Sequence, residues 1–178
     1  MPAVHDGAYD SVLPSSMNIR LVEAKDRERL RQILVSVARF TDQEVVWAMD
    51  LVDEGITSGE GGEYLVYVLE DGSEPGGIAG YVCYGPTPKT EGVYDLYWIA
   101  VDPKLQGQGR GQLLLRFVEN EVRRRSGRML LIETRSRQSF GPTRRFYEQS
   151  GYDEISRIKD FYRIEDDKIV LCKKLSEQ

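Results

Sequence analysis

The sequence predicts an α+β domain built on one mixed, mostly antiparallel sheet, and three observations carry that reading. Taken from the first strand-like run to the last, the elements come in the order β-α-α-β-β-β-α-β-α-β-β, about seven strands and about four helices. One central stretch reads as strand, glycine-rich turn and helix. Residues 94–101 are rich in aromatic and β-branched types, Gly107, Gly109 and Gly111 stand at alternate positions, and an apolar-striped run follows from Gln112 to Arg125. After that helix, Met129-Leu130-Leu131-Ile132-Glu133 is apolar without alternation, as in a parallel strand buried on both faces. Residues 94–133 therefore read as a right-handed βαβ unit.

Each element has a local reason. Residues 1–17 mix Pro, Gly, Ser and Asp without periodicity and read as a flexible N-terminal arm, leaving 18–178 as a single domain. Ile19-Arg20-Leu21-Val22 alternates as a first strand. Asp26 is placed to cap a helix whose stripe is Leu30, Ile33, Leu34 and Val37. Thr41-x-x-Glu44 is a capping box that starts a second helix, with Val45, Ala48, Met49 and Val52 inward and Trp47 on another side. Gly55 through Gly62 reads as a flexible loop.

Strands then run from Tyr64 to Leu69 and from Ile78 to Tyr84, joined at Asp71-Gly72-Ser73. Gly85-Pro86-Thr87-Pro88 breaks the ladder before the next strand, Val93–Val101. In the long helix Leu114, Phe117, Val118 and Val122 share a face. Gly127 sits where a left-handed residue would close it, and Arg123, Arg124 and Arg125 suit the negative end of its dipole. Pro142 opens a short helix, Thr143–Gln149, ended by Gly151. Two tail strands, 154–164 and 168–174, meet at Glu165-Asp166-Asp167.

The totals exclude several function classes. At 178 residues, 40% hydrophobic and 30% charged, the chain suits one well-buried domain. A net charge of −5 argues against nucleic acid as an obligate partner but tolerates a cationic amine. His5 is the only histidine and lies in the arm, which argues against a histidine triad or a catalytic zinc; no metal is expected. Cys83 and Cys172 stand in apolar strand context and read as small buried hydrophobes in a reducing compartment. No apolar run approaches the ~18 residues of a membrane span and no signal-peptide core opens the chain, so the expected setting is cytoplasmic, without a membrane partner.

Alternating glycines at a helix start let the first-turn amides converge on an anion, a phosphate or pyrophosphate above all. A dinucleotide fingerprint would need glycine where Gln112 stands, and a P-loop would need Gly-Lys-Ser/Thr, which is absent. What fits is Gln-x-x-Gly-x-Gly, as Gln106, Gly109 and Gly111. Ile99-Ala100-Val101-Asp102-Pro103 precedes it and Phe146-Tyr147-x-x-x-Gly151-Tyr152 lies downstream. This resembles the acyl-CoA signature of the GNAT superfamily of N-acyltransferases, over residues 18–175.

The resemblance implies the GNAT fold, in which the strand ending at Val101 and the strand at 129–134 run parallel and splay apart around acetyl-CoA. Loop amides of Gln106, Gly107, Gln108, Gly109, Arg110, Gly111 and Gln112 would hold the CoA pyrophosphate. The backbone of Ile99, Ala100 and Val101 would bond the pantetheine like an added strand. The CoA-bonding Asn that frequently sits seven residues before the tyrosine is Phe140 here, so Arg144 or Arg145 is expected to take over toward the phosphates.

Acetyl transfer to an amine needs a neutral amine, a polarised thioester and a protonated leaving thiolate. Tyr147 falls at the GNAT position whose hydroxyl reaches the CoA sulfur. Asp95, six residues before Val101, falls where the family commonly has a carboxylate base, here acting through water because it is one methylene short. The competing reading of Asp95 is a strand carboxylate bonded to a loop amide or a nearby Arg; Glu133 is the reserve base. Trp47, Tyr97, Tyr84, Phe161 and Tyr162 are candidate pocket aromatics.

The function so implied is transfer of acetyl from acetyl-CoA to a primary amine of a small molecule, an amino acid or similar metabolite, by direct attack in a ternary complex. A protein or peptide acceptor, which would need an open groove at 40–62 and 159–168, and a non-catalytic acyl-CoA-binding module stand as alternatives. A homodimer is left open.

Overall fold

The computed structural model describes residues 14–72 and 77–175. Seven strands form one sheet in the order β1-β2-β3-β4-β5-β7-β6. They are β1 Met17–Leu21, β2 Leu65–Asp71, β3 Ile78–Pro86, β4 Val93–Val101, β5 Met129–Arg135, β6 Asp153–Arg163 and β7 Asp166–Lys174. All neighbours are antiparallel except β4 and β5. The helices are α1 Arg27–Ser36, α2 Asp42–Ser58, α3 Arg110–Arg124 and α4 Gly141–Gln149. Among the described residues no helix is long and apolar enough to cross a membrane. β1 starts at Met17, within the expected arm, whose residues before 14 lie outside the described residues together with His5 and Ser73.

The helices form two layers. Leu30, Ile33 and Leu34 of α1 and Ala48, Met49 and Val52 of α2 pack on Val66, Val68, Tyr81 and Cys83. Leu114, Leu115, Val118 and Val122 of α3, with Tyr147 of α4, pack in a second cluster with Leu69, Val82, Leu96, Leu130, Ile132 and Leu171. Each such aliphatic side chain contributes about 1.5–3 kcal/mol by leaving water. Both cysteines are buried and free.

Local chemistry fixes the helix ends. Thr41 Oγ1 accepts from the Glu44 amide at 3.2 Å while Glu44 Oε2 accepts from the Thr41 amide at 2.8 Å, the expected capping box. Asp26 does stand at the start of α1, but its carboxylate turns back to the Glu23 amide at 2.8 Å and to Arg20 at 2.7 Å.

Three sequence expectations are corrected. α2 continues through Gly55 to Ser58 in place of a loop, because glycine there serves close approach: a Cβ on Gly55 would lie 2.5 Å from Val66 Cγ2. The left-handed residue after α3 is Ser126, at φ 59, and not Gly127. Gly127 instead turns in so tightly that a Cβ would meet Val122 Cγ1 at 2.3 Å. β5 is buried on one face only, with Glu133 exposed, because the α1–α2 cluster reaches no further across the sheet than β4.

The parallel pair positions the site. Pairing runs from Val93↔Met129 to Leu96↔Ile132 and stops. Beyond it β4 continues to Val101 against β3, and β5 continues to Arg135 against β7. The parting has a local cause. Cys83 of β3 faces Trp98 while Tyr84 faces Leu96, so Tyr97 is an extra residue in β4. Such a bulge bends its strand, and it lies where the β4–β5 ladder ends.

Candidate active site

A cleft of about 1230 Å³ opens where β4 and β5 part. Its floor is Tyr97–Ile99 and Val101 of β4 and Glu133–Arg135 of β5. The start of α3 closes one end, α4 carries Thr143, Phe146 and Tyr147 into it, and the α1–α2 connection with Glu44 and Trp47 forms the opposite wall.

At the α3 end, Gly107 and Gly109 have φ 73 and 82, the left-handed region that other residues enter at a cost. Nothing lies within 4 Å of a Cβ built on either. Conformation demands these glycines, and the space over them is open. Gly109 is the N-cap of α3, so the amides of Arg110, Gly111 and Gln112 point out of the helix start without intrahelical acceptors. Gly111 is helical, and a Cβ there would touch the Phe146 ring at an ordinary 3.6 Å. Gln106 Nε2 donates to Val101 O at 3.1 Å, and Gln112 Oε1 accepts from Ser150 Oγ at 3.1 Å; these bonds tie the turn to β4 and α3 to α4.

The side chains of several residues predicted to meet the cofactor face elsewhere, which leaves the predicted main-chain contacts in place and corrects Arg144. Arg110 is 6% exposed and donates to Asp71 Oδ2 at 2.6 and 3.2 Å and to Gln108 Oε1 at 2.6 Å. Gln108 and Arg110 therefore offer the cleft only main chain. Ala100 turns its methyl into the α1–α2 cluster while its backbone stays on the β4 edge. Arg144 does not line the cleft; its Nη1 donates to the carbonyls of Arg135 at 2.6 Å and Arg137 at 3.0 Å, securing the connection from β5 to α4.

Tyr147 is 4% exposed and lines the cleft, its ring edge-on to Phe146 and Tyr152. Burial pushes its hydroxyl well above the usual phenol range, and the Arg39 charge pulls the other way. Asp95 does not line the cleft: it pairs opposite Leu131 below the point of parting, and Oδ2 accepts from Thr87 Oγ1 at 2.6 Å. The carboxylates that do line it are Glu133, bridged to Lys168 at 2.5 Å, and Glu44. Of the predicted aromatics Trp47, Tyr97 and Tyr162 line the cleft, whereas Tyr84 is buried in the core and Phe161 is exposed beside Lys168.

The cleft also holds residues that local sequence did not mark: Arg39, Phe40, Trp98, Thr134, Arg135 and Thr143. Arg135 is held by Asp166 at 2.6 and 3.0 Å and lies over the Tyr162 ring at 4.3 Å. Thr134 is 5% exposed, and its hydroxyl has no hydrogen-bond partner among the described residues. An orphaned hydroxyl, an unpaired strand edge and an open cradle of amides fit a chain of amide groups ending in a pyrophosphate, which is the make-up of acyl-CoA. Among the described residues no cluster of His, Cys, Asp or Glu is arranged to hold a metal.

A parallel pair that parts beside such a helix start, with a buried tyrosine on the facing helix, defines an acyl-CoA-dependent transferase. Residues 62–154 match the family model of the acetyltransferase (GNAT) domain. A GNAT-family structure from Desulfovibrio desulfuricans is 40% identical, with TM-score 0.83, covering 90% of this chain and 98% of its own. The chain belongs to the GNAT acetyltransferases.

Two further structures share the fold. The ribosomal-protein-S18-alanine N-acetyltransferase of Escherichia coli is 24% identical, TM-score 0.70, over 91% of this chain and 96% of its own. An aminoglycoside 6′-N-acetyltransferase complexed with coenzyme A is 14% identical, TM-score 0.69, over 90% and 98%. No curated protein matches the chain.

Proposed function

We propose that the protein moves the acetyl group of acetyl-CoA to a primary amine of a small molecule, an amino acid or similar metabolite, by direct attack in a ternary complex. The observation that carries this reading is the parting of β4 from β5 beside the free amides of α3. Bound acetyl-CoA supplies the activated acyl carbonyl and a thiol leaving group. The amides of Arg110, Gly111 and Gln112 hold its pyrophosphate, and the β4 edge at Ile99–Val101 with the Thr134 hydroxyl aligns the pantetheine.

Tyr147 holds its phenolic proton against the departing sulfur. With its acidity weakened by burial, it serves as a hydrogen-bond donor that lowers the cost of thiolate formation. Glu133 is the carboxylate placed to receive the amine proton, directly or through water. Asp95 stands on β4 below the parting, held by Thr87. Trp47, Tyr97 and Tyr162 wall the acceptor side.

Support for a small acceptor comes from two contacts that cross the cleft. Arg39 bonds Thr143 between the α1–α2 connection and α4, and Glu44 approaches Arg135 at 3.7 Å between α2 and β5. They divide what would otherwise be a continuous groove for an extended peptide.

The test is free-thiol release from acetyl-CoA across a panel of amines, amino acids and peptides. Small amines should exceed peptides by at least about tenfold in kcat/KM. A preference for peptides would overturn the acceptor, and CoA binding without turnover on any amine would overturn the enzyme in favour of a binding module.

A further inference from the structure

Two guanidinium groups line the cleft and they differ in one respect. Arg135 is neutralised by Asp166 at 2.6 Å, with Glu44 at 3.7 Å. Arg39 has no acidic partner among the described residues; it reaches from the α1–α2 connection across the cleft and donates from Nη1 to Thr143 Oγ1. Thr143 and Tyr147 are four residues apart on α4 and both line the cleft, so they are neighbours on one helix face. The uncompensated charge is thus pinned one turn from Tyr147, and it is felt at the Tyr147 phenol.

We propose that Arg39 is the electrostatic partner of the leaving thiolate, held by Thr143 so that its charge stands at the Tyr147 end of the cleft. This rests on the reading above in one respect, that the acyl-CoA sulfur lies at Tyr147. In the step itself the amine nitrogen bonds the acetyl carbon and the carbon–sulfur bond breaks, its electron pair going to sulfur. The amine proton passes first to Glu133, and in the overall balance one proton replaces the acetyl group on that sulfur. Arg39 keeps its own proton throughout, as a guanidinium does, and lowers the energy of the charge that appears.

The need for a cation follows from Tyr147. A free phenol with pKa about 10 is already a weaker acid than a thiol at about 8.5, and burial weakens it further. Tyr147 can therefore share its proton with the sulfur without neutralising it. A positive charge beside the pair offsets what remains. The pyrophosphate has its own donors at the start of α3, and α4 is a separate wall, so phosphate is not the anion this geometry serves.

The test compares CoA with desulfo-CoA, which carries hydrogen in place of the thiol. Calorimetric affinities would be measured from about pH 6 to about pH 9 for wild type, Arg39→Gln, Arg39→Lys and Thr143→Val, each first shown to melt like the wild type. In the wild type the CoA to desulfo-CoA affinity ratio should rise about tenfold with pH, as bound thiolate is favoured. Arg39→Gln should flatten that rise, Arg39→Lys should restore part of it, and Thr143→Val should weaken it. Desulfo-CoA affinity should be the same in all four proteins.

In turnover, Arg39→Gln should lower kcat about tenfold with little change in the acetyl-CoA KM. Equal losses of CoA and desulfo-CoA affinity in Arg39→Gln would assign the charge to the phosphates and overturn the proposal. So would an effect confined to the KM of carboxylate-bearing acceptors, or a wild-type ratio that does not vary with pH. Absence of any CoA binding by the wild type would sink the acetyl-CoA reading and this proposal together, whereas the preceding outcomes remove this proposal alone.

Discussion

Replacing Arg110 with methionine should weaken the fold and spare cofactor binding. The guanidinium is 6% exposed and Asp71 is 0% exposed. Bonds of 2.6 and 3.2 Å join them, pinning the start of α3 to the end of β2. Were the pair at the surface, the loss would be at most about 1 kcal/mol. Here both groups are buried, so the loss should exceed that surface value, up to about 3–5 kcal/mol for a broken buried pair, less what Asp71 keeps from its other interaction. Methionine keeps most of the aliphatic stem, so little of the loss comes from packing. For a domain of this size that corresponds to a drop in Tm of several degrees, at most roughly 10 °C.

The assay is urea unfolding near neutral pH with the m-value monitored, then calorimetric titration of the folded variant with CoA. Affinity should stay within about threefold of wild type, because only the main-chain amide of residue 110 faces the anion. A stability loss no larger than the about 1 kcal/mol of a surface pair would refute the argument that burial sets the magnitude. A loss of affinity beyond about tenfold with a shallower salt dependence would return the side chain to the phosphates.

Four other outcomes are expected. Gly109→Glu should fold at a cost of about 1–2 kcal/mol for a left-handed residue, yet lose CoA affinity by more than about 100-fold in calorimetry, because its carboxylate meets the pyrophosphate; retained affinity would remove the turn from the site. Tyr147→Phe should lower kcat on the order of 10²-fold with the acetyl-CoA KM little changed, and a wild-type kcat would sink its role. Glu133→Gln should lower kcat/KM at neutral pH more than Asp95→Asn does, and the reverse order would return the base to Asp95.

Asp26 gives the pH prediction. Burial alone would raise its pKa, but hydrogen bonds from Arg20 and the Glu23 amide outweigh that and hold it below the usual carboxylate value. A depressed folded pKa contributes stability above the unfolded value and loses it as pH falls through the folded one. Asp26→Asn should therefore be less stable than wild type at neutral pH, by a gap in the unfolding free energy that closes in acid; a gap independent of pH would refute the ion-pair account.

Strand and helix order, the bounds of β4 and the capping box at Thr41 were legible because each depends on residues adjacent in the chain. Gly55 misled for a physical reason: glycine as a breaker and glycine as a spacer look alike until Val66 is brought against it. The family resemblance placed Asp95 toward the cleft, six residues before Val101. Which residue of β4 is the last to pair with β5 depends on a bulge against β3, and spacing does not carry that. Arg39 on the α1–α2 connection and the Thr134–Arg135 pair on β5 come from two segments with no shared motif; they gain meaning only when those segments and α4 meet across the gap.

Only four residue pairs join β4 to β5, so the sheet behaves as two plates meeting at a short seam. The plate from β1 to β4 is clamped between helices on both faces, while β5 and β7 are backed by α3 and α4 alone and β6 is exposed along its whole length. The β5 wall of the cleft belongs to the plate with fewer packed neighbours to resist bending. A ligand that bonds to both rims supplies rungs the backbone leaves out, and stiffens the seam when the reacting groups must be held still.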